Sequence, residues 1–299
     1  MNAGDDPVSP RDTHRQLRQA RARAAWEPPG PRPPGDLGQA DLHPGLGETL
    51  DAFAGHWRIF QLRRGHRYST DDLLVAWYAV DRVQQAGLAP RRALDLGTGI
   101  GSVALYLLWA LPGLAVVGVE AQAGSLGLAR RSAGYNGVRQ RAAWVHGDLR
   151  RDLACWGQFD LVTASPPYWR PADGNLSTAP QRGLCRFECR GGVEAYCRAA
   201  AARLGEPALF CTVFDGRQLP RLRQAGEGAG LELVHLRPVL SRPQSVPLLV
   251  LASFRRRRGT GSKTVAVEAP PLLLRDAAGV RPDEFRQLRA RMGMPPGPR

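Results

Sequence analysis

Lysine is almost absent from this chain: of its 41 basic residues all but Lys263 are arginine, against 27 acidic residues and a formal charge of +14. A field of that sign favours a polyanionic partner such as nucleic acid. A compositional bias in the coding sequence would leave the same arginine excess, so charge alone does not name the partner. Cysteine is scarce and unpatterned. The five positions, Cys155, Cys185, Cys189, Cys197 and Cys211, are odd in number and contain no Cys-x-x-Cys pair, which excludes the spacing of a disulfide framework or a zinc site. Reduced, packed thiols and no metal are expected. The six histidines show neither triad nor metal spacing. No apolar run reaches the roughly 18 residues of a membrane span. The nearest, residues 103–119, is broken by Pro112 and Gly113 and reads as a buried helix, a turn and a buried strand. No apolar stretch follows the N-terminal arginines, so no secretory signal is read. A cytoplasmic protein without a membrane partner is expected.

What is present falls into three parts. Residues 1–45 are rich in Pro, Gly, Arg and Asp and have little large apolar surface to bury, so they read as a disordered arm, with 11–26 as a short basic helix or solvated segment. Residues 46–292 alternate apolar segments with turns and read as one domain, and 293–299 as a flexible tail. Strands are expected at 93–96, 115–119, 142–146, 159–164, 208–214, 231–239 and 246–254, and helices at 101–110, 123–135 and 192–204. Strand and helix in alternation imply crossovers and a mostly parallel sheet with helices on both faces. The last two strands follow one another without a helical stretch, which predicts an antiparallel pair at one edge. The fold class expected is α/β with a Rossmann-like, seven-stranded sheet.

The chemistry concentrates at the strand ends. Asp95-Leu-Gly97-Thr-Gly99-Ile-Gly101 lies between a short apolar strand and an apolar helix, where a glycine-rich turn lets backbone approach a ligand at the carboxyl end of the strand. Such a string is weak by itself. It gains weight from Glu120, which ends the next strand about twenty residues on, as a carboxylate accepting two ribose hydroxyls does. Asp148 ends the third strand, where it can accept from an adenine amino group. Three such features at successive strand ends form a nucleoside crevice. The dinucleotide fingerprint is Gly-x-Gly-x-x-Gly and cradles a pyrophosphate. The closer spacing here favours a cofactor without phosphates.

The fourth strand stops at Ser165-Pro166-Pro167-Tyr168. Two prolines stiffen the backbone and remove two donors, leaving carbonyls free to accept from an amine. A conjugated amine is a poor nucleophile because its lone pair is delocalised. The Ser165 oxygen and the Pro166 carbonyl can take its two N–H bonds while Tyr168, with Trp169, stacks on the ring. Pro-Pro after a strand also makes a plain turn. The catalytic reading comes from its place downstream of a complete cofactor signature.

The glycine loop, Glu120, Asp148 and the Ser-Pro-Pro-Tyr box together resemble the class I S-adenosylmethionine-dependent amino-methyltransferases. The order of parts is similar to the bacterial adenine-N6 methyltransferases of a valine tRNA. Gly65-His-Arg-Tyr-Ser-Thr-Asp71-Asp-Leu-Leu ahead of the first strand, Leu176-Ser-Thr-Ala-Pro-Gln-Arg182 after the box, and residues 246–255 followed by Pro271-Leu-Leu-Leu-Arg275 carry that narrower likeness. The resemblance implies S-adenosylmethionine as cofactor, with Tyr68, Thr70 and Asp71 at its methionine end, and Gln181 and Arg182 near the substrate mouth. The family box begins with Asn, and this chain has Ser165, a shorter side chain with one oxygen in place of an amide. Ser-Pro-Pro-Tyr also occurs in cytosine-N4 methyltransferases.

The function expected is N-methylation of an exocyclic nucleobase amine, adenine N6 in tRNA first. Cytosine N4, a protein glutamine amide and a small heteroaromatic amine are alternatives that use similar boxes. A basic RNA-binding protein with a drifted box is a third class, separated from the others by cofactor binding. Arg63, Arg64 and Arg67 before Tyr68, and Arg182 and Arg186 after the box, are expected to face phosphate or to form solvated faces. Oligomeric state is not legible.

Overall fold

Short apolar segments that end in glycine or a carboxylate form the parallel heart of the fold in a computed structural model, which describes residues 26–151, 157–169, 187–257, 259 and 265–297. In chain order the elements are β1 (Glu48–Ala52), β2 (Arg58–Leu62), α1 (Thr70–Gln85), β3 (Arg92–Leu96), α2 (Ser102–Ala110), β4 (Ala115–Glu120), α3 (Ala123–Tyr135), β5 (Ala142–His146) and β6 (Phe159–Ala164). They continue with α4 (Val193–Arg203), β7 (Leu204–Asp215), α5 (Leu219–Gly228), β8 (Leu231–Leu240), β9 (Leu249–Arg256), β10 (Val267–Glu268), β11 (Leu272–Leu273) and α6 (Asp283–Arg291).

The main sheet runs β10-β8-β9-β7-β6-β3-β4-β5, with β11 also on β8. All pairs are parallel except those of β9, which lies reversed between β7 and β8. The predicted antiparallel pair is therefore β8 with β9, and β9 alone carries the reversal. Seven of the nine strands are those expected, and the two-residue β10 and β11 extend the edge by pairing with β8. Side chains alternate between two cores, as the pleat requires. Leu209, Cys211 and Val213 of β7 join the core beneath α1 and α2. Phe210 and Phe214 join the one beneath α4 and α5. Each such buried apolar side chain contributes roughly 1.5–3 kcal/mol.

Several elements exceed the sequence reading. α1 is buried nearly all round from Leu73 to Val80, so it carries no clear amphipathic stripe. Its start is marked by a capping box in which Asp71 N donates to Ser69 Oγ and Ser69 N donates to the Asp72 carboxylate. α5 begins with proline at its first turn. The β1–β2 hairpin forms a separate two-stranded sheet. Part of residues 26–45, expected as disordered arm, lies against α3: Arg131 donates to the His43 carbonyl at 2.6 Å and to both oxygens of Glu48, and Gly35 N donates to the Tyr135 carbonyl. An arginine fork satisfying chain carbonyls fixes what composition left open. Of the expected tail, Met294 is buried, and Gly55 N donates to the Gly293 carbonyl at 2.7 Å. Residues 1–25, including most of the expected basic helix, lie outside the described residues. No helix among the described residues is long and apolar enough to cross a membrane.

Candidate active site

At the carboxyl end of the parallel strands a cavity of about 430 Å³ opens between the β3–α2 loop and the chain leaving β6. The loop is tied down by backbone: Thr98 N donates to the Val119 carbonyl at 2.9 Å, and Gly99 N to Glu120 Oε2 at 3.1 Å. Gly97, Gly99 and Gly101 all have left-handed φ, at 66°, 55° and 82°, where a side chain is strained. They serve different ends. A Cβ on Gly101 would lie 2.9 Å from Ala129 and Trp144, so that glycine lets α2 pack, whereas a Cβ on Gly99 meets nothing within 4 Å. Gly99 is thus the open face of the loop.

The carboxylates divide in the same way. Asp95 is buried, and its two oxygens accept from Thr98 Oγ1 at 2.6 Å and Thr163 Oγ1 at 2.7 Å. Burial pushes its carboxyl up to about 7 despite those bonds. It joins the loop to β6 and also lines the cavity, where the sequence suggested a ligand contact. Asp72, at about 6 for the same reason, accepts from Ser69 N and Ser102 Oγ. Glu120 accepts one backbone N–H on each oxygen, from Gly99 and from Gln122 at 2.7 Å. That leaves a lone pair on each for hydroxyl donors. Asp148 lines the cavity, and its carboxylate is forked by Arg150, whose Nε lies 2.9 and 3.0 Å from its oxygens. The Arg150 hydrogen bonds hold the Asp148 carboxyl below its usual range.

Ser165, Pro166, Pro167, Tyr168 and Trp169 line the opposite wall. Tyr168 is fixed from three directions. Its hydroxyl donates to Asp71 Oδ2 at 3.0 Å, its carbonyl accepts from Gln218 Nε2 at 2.8 Å, and Phe214 meets its ring edge-on at 5.5 Å. Asp71, in the first turn of α1, thereby ties that helix to the box, and burial raises its carboxyl above the usual range. Trp169 is 42% exposed, with the Arg217 guanidinium 5.6 Å from its ring centroid. A buried carboxylate, Asp215, holds that guanidinium by Nε at 3.0 Å and Nη2 at 2.6 Å.

The cavity therefore gathers Asp71, Asp95, Gly97, Gly99, Glu120, Asp148 and the whole box. Gly101 stands behind it as the residue preceding α2. Tyr68 and Thr70 are not among its lining residues and face a second cavity. The chain is extended into Ser69, so successive side chains leave on opposite sides. Gln181, Arg182 and Arg186 lie outside the described residues. The sequence reading missed His66, Gln122, Arg190 and Tyr196, which also line the cavity. Gln122 sits two positions after the strand-ending Glu120, a signal that was available. The other three are brought in by tertiary folding alone. No His/Cys/Asp/Glu group suited to a metal is present among the described residues.

Residues 93–175 match the family described as a methyltransferase domain. The chain is 28% identical over 200 residues to the tRNA1(Val) (adenine(37)-N6)-methyltransferase of Salmonella enteritidis, covering 64% of this chain and 76% of that one. It is 30% identical over 176 residues to the release factor glutamine methyltransferase of Bordetella pertussis, covering 56% and 57%. The chain spans 34% to 57% of the length of three release factor glutamine methyltransferases that it matches. A predicted O-methyltransferase from Agrobacterium tumefaciens superposes with a TM-score of 0.56 at 19% identity, covering 75% of this chain and 97% of that one. The fold is that of the class I methyltransferases, and this domain and fold imply S-adenosylmethionine as cofactor. The cradle fits it: an open glycine turn, and a strand-end carboxylate with unused lone pairs.

Proposed function

We propose that this chain is an S-adenosylmethionine-dependent methyltransferase that methylates the exocyclic N6 amine of an adenine in tRNA. The observation that carries the reading is the Ser-Pro-Pro-Tyr box facing the glycine loop across one cavity. When bound, S-adenosylmethionine supplies an electrophilic methyl group on its sulfonium. Gly99 and Glu120 would hold it, the latter through the ribose hydroxyls, with Asp148 toward the adenine. On the other wall the Ser165 hydroxyl and the Pro166 carbonyl accept the two N–H bonds of the amine, which turns its lone pair toward the methyl. The missing N–H groups of Pro166 and Pro167 leave no donor to compete for that lone pair. Tyr168, braced by Asp71, Gln218 and Phe214, holds the ring of the base.

The tRNA reading draws on coverage. The tRNA methyltransferase relative aligns along 76% of its length, and the glutamine methyltransferases over less of theirs. A second reading, methylation of a glutamine amide in a protein, is favoured by those same relatives at 37% identity over 101 and 134 residues. Labelled cofactor with total RNA from a deletion strain, followed by nucleoside mass spectrometry, tests the first reading. N6-methyladenosine is the expected product, and an RNA digest without label shifts the assignment to protein.

A further inference from the structure

Among the described residues Arg190 is the only arginine or lysine that lines the active cavity, where the carboxylates of Asp71, Asp72, Asp95, Glu120 and Asp148 also lie. It is exposed, and it makes no ion pair or hydrogen bond among the described residues. The arginines around it differ: Arg150, Arg217 and Arg221 are each bound to carboxylates.

The turn that carries Arg190 is fixed at both ends. Glu188 N donates to the Trp169 carbonyl at 2.8 Å, and Gly191 N to the Glu188 carbonyl at 3.1 Å. Arg221 grips the Glu188 carboxylate by Nη1 at 2.6 Å and Nη2 at 2.9 Å, and it also donates to Glu194 of α4 by Nε at 2.7 Å and to Gln218 Oε1 at 3.1 Å. Gln218 in turn holds the Tyr168 carbonyl. One guanidinium thus ties the turn to the box. Gly192 is where that ion pair meets the backbone, since a Cβ there would fall 2.5 Å from Arg221 Nη2 and 2.6 Å from Glu188 Oε2. At the other end Gly191 has a φ of 103°, and a Cβ on it would lie 3.5 Å from Cδ of Arg150, which forks Asp148. An unpaired cation on a fixed turn at a cavity wall is preorganised for an anion.

The cofactor does not supply that anion. Strand order places Glu120 after β4 and Asp148 after the neighbouring β5, so a nucleoside with its ribose at Glu120 and its adenine at Asp148 runs its methionine end back toward β3 and the box. Arg190 then stands beside the adenine, which is uncharged. The anion comes from the substrate, whose way in is marked by the exposed Trp169 to which the same turn is bonded. We propose that Arg190 binds a phosphate of the nucleotide whose base enters the box, so that the cavity selects a nucleotide over an uncharged amine such as a protein glutamine. The planar guanidinium fork matches two phosphate oxygens, and the net charge of +14 favours a polyanion. This assignment rests on the function proposed above.

The test compares Arg190→Gln and Arg190→Lys in the full chain, with S-adenosylmethionine and tRNA. Arg190→Gln should raise the KM for tRNA about tenfold and leave kcat within about twofold, the pattern of a lost binding contact. The slope of log affinity for tRNA against log salt should fall by about 0.7–0.9, the share of one phosphate contact. Arg190→Lys keeps the charge and loses the fork, so it should restore the slope and part of the KM. S-adenosylhomocysteine affinity and the melting temperature should be unchanged in both variants, because the side chain has no partner within the described chain to lose. An unchanged KM and salt slope in Arg190→Gln, in a chain that methylates tRNA, overturns the proposal and leaves the function standing. A raised KM with an unchanged slope also overturns it, since the contact would then be to an uncharged group. Weakened S-adenosylhomocysteine binding would assign Arg190 to the cofactor and overturn it as well. Absence of methyl transfer to any RNA overturns the function proposed above and this assignment with it.

Discussion

The two walls of the active cavity are held in place by different means. On the loop wall the polar groups answer to nearby backbone or to short hydroxyl bonds: Glu120 to the amides of Gly99 and Gln122, Asp95 to Thr98 and Thr163. On the box wall Tyr168 is held by residues from three separate places: Asp71 of α1, Phe214 of β7, and Gln218 just before α5. A wall tied to its own backbone should report damage as lost binding or stability. A wall assembled from distant side chains should report it as lost turnover.

The largest expected effect sharpens that contrast directly. Ser165→Ala removes an acceptor from the reacting nitrogen and leaves the loop wall whole, so turnover should fall on the order of 10²-fold while cofactor affinity stays at its wild-type value. Full turnover in Ser165→Ala would reduce the serine to a turn residue. Next comes Glu120→Ala on the opposite wall. It deprives two ribose hydroxyls of a charged acceptor, a loss of about 1.5–3 kcal/mol in cofactor binding by calorimetry. Unchanged affinity would remove Glu120 from the site.

A smaller effect probes how the box is braced. Asp71→Ala and Tyr168→Phe each delete the same hydrogen bond, so the double variant should lose little more kcat than either single one, with a coupling of about 1 kcal/mol. Additive losses would mean that the two residues act separately. Tyr168→Phe should leave cofactor affinity unchanged. A cofactor defect confined to Asp71→Ala would give its second oxygen the methionine-end contact that the resemblance implies.

A further effect concerns pH and the two buried carboxylates, Asp95 and Asp72. Burial raises the carboxyls of Asp95 to about 7 and of Asp72 to about 6, so the folded chain binds protons there more tightly than the unfolded chain. Their contribution to stability is full below the ordinary carboxylate range and is lost as pH rises through 6 and then 7. Thermal melts without cofactor should therefore show stability falling between pH 5 and pH 8. Asp95→Asn should flatten the upper part of that fall, and a slope unaltered by Asp95→Asn contradicts the assignment.

Much of this arrangement was legible in the sequence because parallel strands here are short apolar runs that end in glycine or a carboxylate. Leu94, Val117 and Val162 read as buried, and Asp95, Glu120 and Ser165 mark where each strand stops. α1 was not legible as a helix, since residues buried on every side leave no polar stripe for a 3.6-residue period to reveal, although Ser69 and Asp72 carried the capping signal. Spacing marked Asp95 as a strand-end carboxylate, but it does not encode that Thr98 and Thr163 bond to its oxygens. Residues 26–45 lack apolar bulk, yet backbone carbonyls bonded to Arg131 hold part of them. The second cavity needs the C-terminal segment to meet β1, a contact between residues some 230 to 245 positions apart that no local pattern encodes.

The central claim, that the box presents an adenine amine to the methyl held by the loop wall, is tested most directly by competition. The protein is given labelled S-adenosylmethionine with equimolar tRNA and peptide chain release factor in one reaction, and both substrates are digested for mass spectrometry. The label is expected in N6-methyladenosine at a single tRNA position, and Ser165→Ala should abolish most of it. Label confined to a glutamine of the release factor, with none in the tRNA, would contradict the account.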